Sequence, residues 1–127
     1  MFLASDDVAT RLRLIEHRVE GVSVLEVNGE LDLYTAPLLC TQIGAKVDGP
    51  SSRLLIDLSH LQFCDSTGLR ALVGAVREVR VAAGRVAMVR PARPGAARAF
   101  EIAGAAEFLP LVKDVDTGLS ALADRRG

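Results

Sequence analysis

Residues 53–81, RLLIDLSHLQFCDSTGLRALVGAVREVRV, decide the fold. They open with an apolar run over residues 53–58, which predicts a buried central strand. A loop is predicted over residues 59–65. From Ser66 onwards, apolar residues recur at helical spacing, which predicts an amphipathic helix closed by Gly84 in a left-handed cap. A strand, a loop and a helix in this order are the repeating unit of α/β folds.

The segments before and after this stretch continue the alternation of strands and helices. Upstream, two strands around a turn at residues 20–21 predict a hairpin, whose second strand ends at residues 28–29. A helix follows, with Thr35 as its N-cap and Pro37 in its first turn, and it ends at residues 48–52. Downstream, the pattern predicts a strand, a helix, an edge strand and a last helix, over residues 85–90, 96–103, 108–111 and 114–123.

This order of elements predicts an α/β protein with a single domain. The sheet is expected to be mixed and mostly parallel, with four to five strands and with the helices mainly on one face. The chain of 127 residues suits one hydrophobic core, and with four Phe, one Tyr and no Trp that core must be aliphatic. Residues 1–9 are predicted to be a flexible leader, residues 10–123 the domain, and residues 124–127 a tail.

Charge and hydropathy argue against two classes of partner. The formal net charge is −1, which gives no electrostatic basis for nucleic-acid binding. No run approaches the ~20 apolar residues of a membrane span, and Met1–Thr10 lacks the features of a signal peptide. We therefore expect a soluble cytoplasmic protein that binds neither nucleic acid nor a membrane. Six recurring arginines are interpreted as solvated surface: Arg77, Arg80, Arg85, Arg90, Arg93 and Arg98.

Residues 63–69, FCDSTGL, lie directly before and within the start of the predicted amphipathic helix. Asp65 or Ser66 can cap this helix, whose first backbone N–H groups have no partner within it. A phosphate on Ser66 would lie beside those donors and near the positive end of the helix dipole. It would add about −1.5 to −2 charge next to Asp65. Such a change can abolish a contact surface without refolding the domain.

Three parts of the sequence form a set: NGELDLYTAP at residues 28–37, DSTGL at residues 65–69, and FEIAG with EFLPL at residues 100–104 and 107–111. In this order they resemble the strand-to-helix signature, the phosphorylation loop and the closing segment of the STAS domain family, specifically of bacterial anti-sigma factor antagonists. The similarity covers roughly residues 10–123. The first two motifs together, at this separation, are specific to the family.

The resemblance implies a protein that works by partner exchange. In such a system the unphosphorylated antagonist binds an anti-sigma factor that is also a serine kinase, and a sigma factor is released. The kinase uses ATP to phosphorylate Ser66, with Thr67 as a minor or supporting acceptor, and a phosphatase reverses the modification. Gly68 is expected to let a partner backbone approach closely. The full set of expected partner-binding residues is Asp32, Asp65, Ser66, Thr67, Gly68 and Arg70.

Two residues depart from the family pattern. Cys64 stands where a larger apolar residue is usual, and Arg70 where a small residue is usual. Arg70 would project from the first turn of the helix, where it could alter kinase recognition or pair with a phosphate on Ser66. Cys64 leaves open a redox input, because it and Cys40 could be free thiols or could form a regulatory disulfide. A STAS scaffold that acts through assembly is the other alternative.

The sequence predicts no catalytic site and no metal site. His60 with Asp65 and Ser66 would suggest a hydrolase, but there is no G-x-S-x-G elbow. Asp57, near the end of a central strand, matches the phosphoacceptor of a receiver domain, but the opening hairpin and the one late lysine, Lys113, do not. The two histidines and two cysteines lack metal-ligand spacing. No cofactor is expected, and the protein is expected to be a monomer or a weak dimer.

Overall fold

The computed structural model describes residues 11–123, so the predicted leader and tail lie outside the described residues. None of the helices in residues 11–123 is both long enough and apolar enough to cross a membrane. The strands are β1 Leu12–Val19, β2 Val22–Leu31, β3 Arg53–Asp57, β4 Leu61–Cys64, β5 Arg85–Val89 and β6 Leu111–Val112. The helices are α1 Ala36–Lys46, α2 Ser66–Val81, α3 Pro94–Ala103 and α4 Val115–Leu122, with a short 3₁₀ helix over Ala105–Glu107.

The strands form one mixed sheet in the order β1-β2-β3-β5-β6, with β4 paired to β2. β1 is antiparallel to β2, and the other pairings in residues 11–123 are parallel. The predicted α/β class and mostly parallel sheet are thus confirmed. The predicted hairpin is also present: Glu20 and Gly21 both have positive φ angles, 52° and 83°. Such angles give a turn whose twist matches that of the flanking strands.

The sheet has six strands within residues 11–123, where four to five were predicted. The difference is β4, which lies within the predicted loop of residues 59–65. β4 runs parallel to the last residues of β2, with Cys64 opposite Leu31. This pairing is possible because β2 continues past residues 28–29, where it was predicted to end. Gly29, at φ +113°, allows an irregularity in the pairing at a point where a side chain would collide with neighbouring backbone.

The alternation of side chains along the central strands sorts the apolar residues onto the two faces of the sheet. Three helices, α1, α2 and α3, cover one face, which confirms the prediction that the helices lie mainly on one face. The aliphatic core on that side includes Leu25, Leu39, Leu54, Ile56, Leu72 and Met88. The opposite face is covered by α4, and its smaller core includes Val22, Val24, Leu55, Ala87, Val89 and Leu122.

The end of α2 differs from its prediction. Gly84 was expected to take the left-handed conformation, but Ala83 does so, with a φ of 66°. Gly84 instead packs closely, because a Cβ there would lie 2.9 Å from the Ser52 Cβ and 3.0 Å from the Val79 Cγ1. The glycine is therefore needed for close packing, and Ala83 takes the conformation that a side chain disfavours.

The last strand also differs from its prediction. An edge strand was predicted over residues 108–111, but β6 is Leu111–Val112. Pro110 has no N–H to donate to a neighbouring strand, although its carbonyl accepts a hydrogen bond of 2.9 Å from the Met88 N–H. Regular pairing with β5 therefore begins directly after the proline, with Leu111 opposite Met88.

Candidate functional site

The topology places two segments of the predicted site side by side. β2 and β4 run parallel and end together, with Leu31 opposite Cys64. The Asp65 N–H then donates a hydrogen bond of 3.3 Å to the Leu31 carbonyl oxygen. Because both strands stop at this edge of the sheet, the loop after β2 lies next to the start of α2. We call these two segments, residues 30–35 and 63–70, the candidate site.

Asp65 is the N-cap of α2, one of the two positions that the sequence predicted for the cap. Its backbone is extended, and its Oδ1 accepts a hydrogen bond of 2.8 Å from the Gly68 N–H. Its carbonyl oxygen accepts another, of 3.0 Å, from the Leu69 N–H. A capping aspartate stabilises a helix by about 1 kcal/mol. Asp65 therefore determines where α2 begins and which residue occupies its first position.

Ser66 occupies that first position of α2, and its side chain is exposed. Its hydroxyl makes no hydrogen bond with any group in residues 11–123. Thr67, the second predicted acceptor, is half-buried. The geometry therefore favours Ser66 over Thr67 as a residue that an external enzyme can reach.

Gly68 was predicted to give a partner backbone room to approach, but the structure buries it. A Cβ at this position would lie 2.6 Å from the Leu31 carbonyl oxygen and 2.8 Å from the Cys64 Sγ. Cβ atoms do not come this close to their neighbours, so the close approach is internal to the protein. Gly68 lets α2 pack against the ends of β2 and β4, and a partner cannot contact it.

Asp32 has a largely internal side chain, only 14% of which is exposed. Its Oδ2 lies 2.6 Å from the Arg11 Nη1, and its Oδ1 accepts hydrogen bonds from the Tyr34 and Thr35 N–H groups at 2.9 and 3.1 Å. Burial alone would raise the pKa of Asp32, but the hydrogen bonds from these three residues and the charge of Arg11 hold it below its usual value. The carboxylate therefore fixes the loop and offers little surface to a partner.

Thr35 has a role in this loop that the sequence analysis missed. It is the N-cap of α1, as predicted, but its side chain makes no hydrogen bond to that helix. Its buried hydroxyl instead donates to the Glu30 carbonyl oxygen at 2.8 Å and accepts from the Asp32 N–H at 2.9 Å. A threonine directly before a helix can either cap that helix or form hydrogen bonds within the preceding loop. The sequence carried no signal to separate these two roles.

Three exposed apolar side chains of the candidate site were also missed. Leu33 is 59% exposed, Tyr34 68% and Phe63 47%. Exposed apolar and aromatic side chains on adjoining segments are typical of protein interfaces. No signal in the sequence marked these three residues, because apolar side chains are by default expected inside a folded protein.

Arg70 is exposed and lies four residues after Ser66 in α2. Residues at this spacing share one face of a helix, so the guanidinium can reach the space above the Ser66 hydroxyl. It forms no ion pair or hydrogen bond with any group in residues 11–123. The structure thus leaves Arg70 available to a partner or to a phosphate.

The two cysteines have different environments, and both are free thiols. Cys64 is buried, and desolvation, with a smaller contribution from the Asp65 charge, raises the pKa of its thiol to about 12. Cys40 is exposed on α1. The thiolate is the reactive form of cysteine, so burial disfavours a redox role for Cys64, whereas the exposed Cys40 is accessible to an oxidant.

The residues of the two rival sites have other partners. His60 contacts the Ser59 Oγ through its Nδ1 at 3.2 Å, and it has no contact with Asp65 or Ser66 that would make a hydrolase site. Asp57 is the last residue of β3, and its buried carboxylate accepts hydrogen bonds from the Ser59 N–H and Oγ at 3.0 and 2.7 Å. Both residues therefore shape the turn between β3 and β4.

Comparison with known proteins gives matches along most of the chain. The profile of the STAS domain matches residues 15–118. The crystal structure of an anti-sigma factor antagonist from Mycobacterium paratuberculosis is 33% identical in sequence, with a TM-score of 0.71 over 89% of this chain and 95% of that one. The anti-sigma-F factor antagonist RsfB of Mycobacterium tuberculosis is 41% identical over 59 residues.

These matches differ in how much of each protein they cover. The match to RsfB spans 46% of this chain and 48% of RsfB, so about half of either protein is aligned. An anti-sigma F factor antagonist of Paenibacillus polymyxa is 25% identical over 113 residues, which are 88% of this chain and 94% of that protein. The STAS profile extends from within β1 to within α4 and includes both segments of the candidate site. The chain therefore belongs to the STAS domain family.

Proposed function

We propose that this protein is an anti-sigma factor antagonist that binds an anti-sigma factor with serine kinase activity and is switched off by phosphorylation of Ser66. The observation that carries the proposal is the Ser66 hydroxyl, which is exposed at the first position of α2 and makes no hydrogen bond within residues 11–123. The antagonists from M. paratuberculosis, M. tuberculosis and P. polymyxa support the same role.

The apolar part of the partner's contact surface consists of Leu33, Tyr34 and Phe63, which lie on the same two segments of the site as Ser66. Covering these side chains removes apolar area from water, at about 25 cal/mol per Å². The hydrogen bonds of Asp32 and Thr35 hold Leu33 and Tyr34 in place before the partner arrives, which lowers the entropy cost of binding. A kinase bound to this surface has its acceptor hydroxyl within the contact.

Phosphorylation acts on this surface through charge. A phosphate on Ser66 adds about −1.5 to −2 charge beside the Asp65 carboxylate and among apolar side chains. The partner would have to bury that charge, which costs several kcal/mol unless it supplies a matching cation. The packing of Gly68 against Leu31 and Cys64 does not involve the hydroxyl, so the fold remains intact while the partner is released.

Arg70 takes part in both states of the switch. Before phosphorylation its unpaired guanidinium contacts the anti-sigma factor, and afterwards it pairs with the phosphate one turn away. A phosphatase returns the protein to the binding form. The chain supplies the acceptor and the contact surface, whereas ATP and its metal ion belong to the kinase, so the protein acts by binding and not by catalysis.

The test is a pull-down from native lysate with four baits, followed by mass spectrometry. Wild type and Ser66→Ala should retain an anti-sigma factor of the ATPase type, and Ser66→Glu should lose it. The matched control is Ser120→Glu, which places the same charge at an exposed serine on α4, on the opposite face of the sheet. That variant should retain the partner.

Intact-mass measurement with the captured kinase then identifies the acceptor. Wild type and Thr67→Ala should gain one phosphate, and Ser66→Ala should gain none. Full phosphorylation of Ser66→Ala would reject the acceptor assignment. Retention of the same partner by Ser66→Glu would reject the switch.

A further inference from the structure

The exposed face of α2 continues beyond the candidate site. Arginines were expected to be solvated, and the two in the second half of α2 are indeed exposed. Spacings of three and four residues place side chains on one face of a helix. The outer face of α2 carries, in chain order, Ser66, Arg70, the half-buried Val73, Arg77 and Arg80.

An open groove of about 400 Å³ lies along the second half of this face. It is lined by apolar side chains and by the two arginines: Val73, Val76, Val81, Phe108, Arg77 and Arg80. Val81 is 81% exposed and Phe108 is 46% exposed, although neither belongs to the candidate site. Clustered apolar side chains that are exposed to water often mark a binding site for another molecule. This groove is therefore a candidate contact surface.

The charged side chains that line the groove, Arg77 and Arg80, are both cations. Arg77 and Arg80 make no ion pair or hydrogen bond with any group in residues 11–123. Glu78, between them in sequence, lies on another side of the helix, with its Oε2 beside Gly44 of α1. The lining thus combines an apolar floor with two unpaired cations and no anion.

We propose that this groove binds an acidic segment of a partner protein, which inserts an apolar side chain beside Phe108 and pairs its carboxylates with Arg77 and Arg80. Aromatic residues and arginines are the residue types that dominate binding energy at protein interfaces. The apolar floor favours a protein segment over a nucleic acid, whose backbone binds through phosphate contacts.

This inference goes beyond the proposed function and does not rest on it. Arg77 lies eleven residues after Ser66, which corresponds to about 16 Å along the helix axis. That distance exceeds the screening length of about 8 Å at physiological ionic strength. Binding at the groove should therefore be the same in Ser66→Glu as in wild type, whereas binding at the candidate site should differ.

The test is an NMR titration with a short synthetic peptide in which Glu and Leu residues repeat at helical spacing. We expect chemical-shift changes at Val73, Val81 and Phe108. The double charge reversal Arg77→Glu with Arg80→Glu should weaken the affinity at least about tenfold, and Phe108→Ala should do the same. The control, Arg13→Glu with Arg98→Glu, reverses two exposed arginines outside the groove and should change the affinity by less than about twofold.

Six outcomes would overturn the proposal. The peptide could fail to bind, shift residues elsewhere, or bind the Arg77→Glu, Arg80→Glu variant unchanged. A matched peptide with Lys in place of Glu could bind equally well, which would show a purely apolar contact. A mixed-sequence oligonucleotide could bind the groove instead of the acidic peptide. Concentration-dependent dimerisation in sedimentation, abolished by Phe108→Ala, would assign the groove to a second copy of this chain.

Discussion

Asp32 and Asp65 occupy comparable places, each directly after a strand, yet they hold the two segments of the site in different ways. Asp32 accepts hydrogen bonds from two backbone N–H groups and pairs with Arg11, and its side chain is 14% exposed. The Asp65 carboxylate accepts one hydrogen bond, which the Gly68 backbone N–H donates. The difference indicates that the first segment is a fixed support for Leu33 and Tyr34, whereas the second is a helix start with Ser66 exposed on its outer surface.

The largest effect should come from filling the contact on which the second segment rests. Gly68→Ala places a Cβ 2.6 Å from the Leu31 carbonyl oxygen and 2.8 Å from the Cys64 Sγ. Two contacts below 3.0 Å, one of them with backbone, put the cost at about 3 kcal/mol, the upper end of the usual range for overpacking, and the gain in helix propensity of about 1 kcal/mol offsets part of it. We expect a net loss of about 2 kcal/mol in the free energy of unfolding, measured by urea denaturation.

Gly74→Ala is the matched control for Gly68→Ala, because Gly74 lies in the same helix with nothing within 4 Å of its added Cβ. It should stabilise the protein by about 0.5–1 kcal/mol. Equal effects of the two substitutions would show that helix propensity alone decides both, and would contradict the close packing of α2 against β2 and β4.

The second-largest effect should come from the first segment of the candidate site, residues 30–35. Asp32→Asn keeps the shape of the side chain but removes the charge that pairs with Arg11 and strengthens the loop hydrogen bonds. Hydrogen bonds to charged groups contribute about 1.5–3 kcal/mol, and asparagine keeps part of this as a neutral acceptor, so we expect a loss of about 1.5 kcal/mol by chemical denaturation. A loss no larger than that of Asp65→Asn would remove the distinction between the two aspartates.

The same carboxylate predicts a pH dependence. The pKa of Asp32 is lower in the folded protein than in the unfolded chain, so its ionised form stabilises the fold. This contribution is fully present above the unfolded pKa of about 4 and is lost as the pH falls through the folded pKa. The stability difference between wild type and Asp32→Asn should be constant near neutral pH and should shrink below about pH 4. A stability difference between the two proteins that stays constant down to pH 2 would contradict a stabilising role for the ionised Asp32 carboxylate.

The smallest effect should come from the cap of α2. Asp65→Ala removes the acceptor for the Gly68 N–H and should cost about 1 kcal/mol. Asp65→Asn keeps an oxygen acceptor in place and should cost only a few tenths of a kcal/mol. If the two variants lose the same stability in thermal unfolding, the charge of Asp65 matters more than its hydrogen bond.

Much of the fold follows from local patterns in the sequence. The hairpin at Glu20-Gly21, the buried strand β3 and the start of α2 at Ser66 each depend on neighbouring residues, and the structure has all three. β4 was missed because its four residues form a strand only through pairing with a distant segment of β2, beyond the irregularity at Gly29.

The candidate site was predictable to a similar degree. Asp65 and Ser66 could be placed because a helix start has a local signature. The inward role of Asp32 depends on Arg11, twenty-one residues earlier, and the burial of Gly68 depends on Leu31. The exposure of Leu33, Tyr34 and Phe63 is likewise a property of the tertiary structure, since apolar side chains are by default expected inside.

The position of β2 has a consequence for amide hydrogen exchange. β2 pairs with β1 along residues 22–29 on one edge and with β3 and then β4 on the other, so its backbone has bonded neighbours on both sides. Amides in such a strand exchange with solvent only when a large part of the sheet opens. β2 should therefore contain the slowest-exchanging amides of the protein, and a charge introduced at Ser66 should leave their protection unchanged.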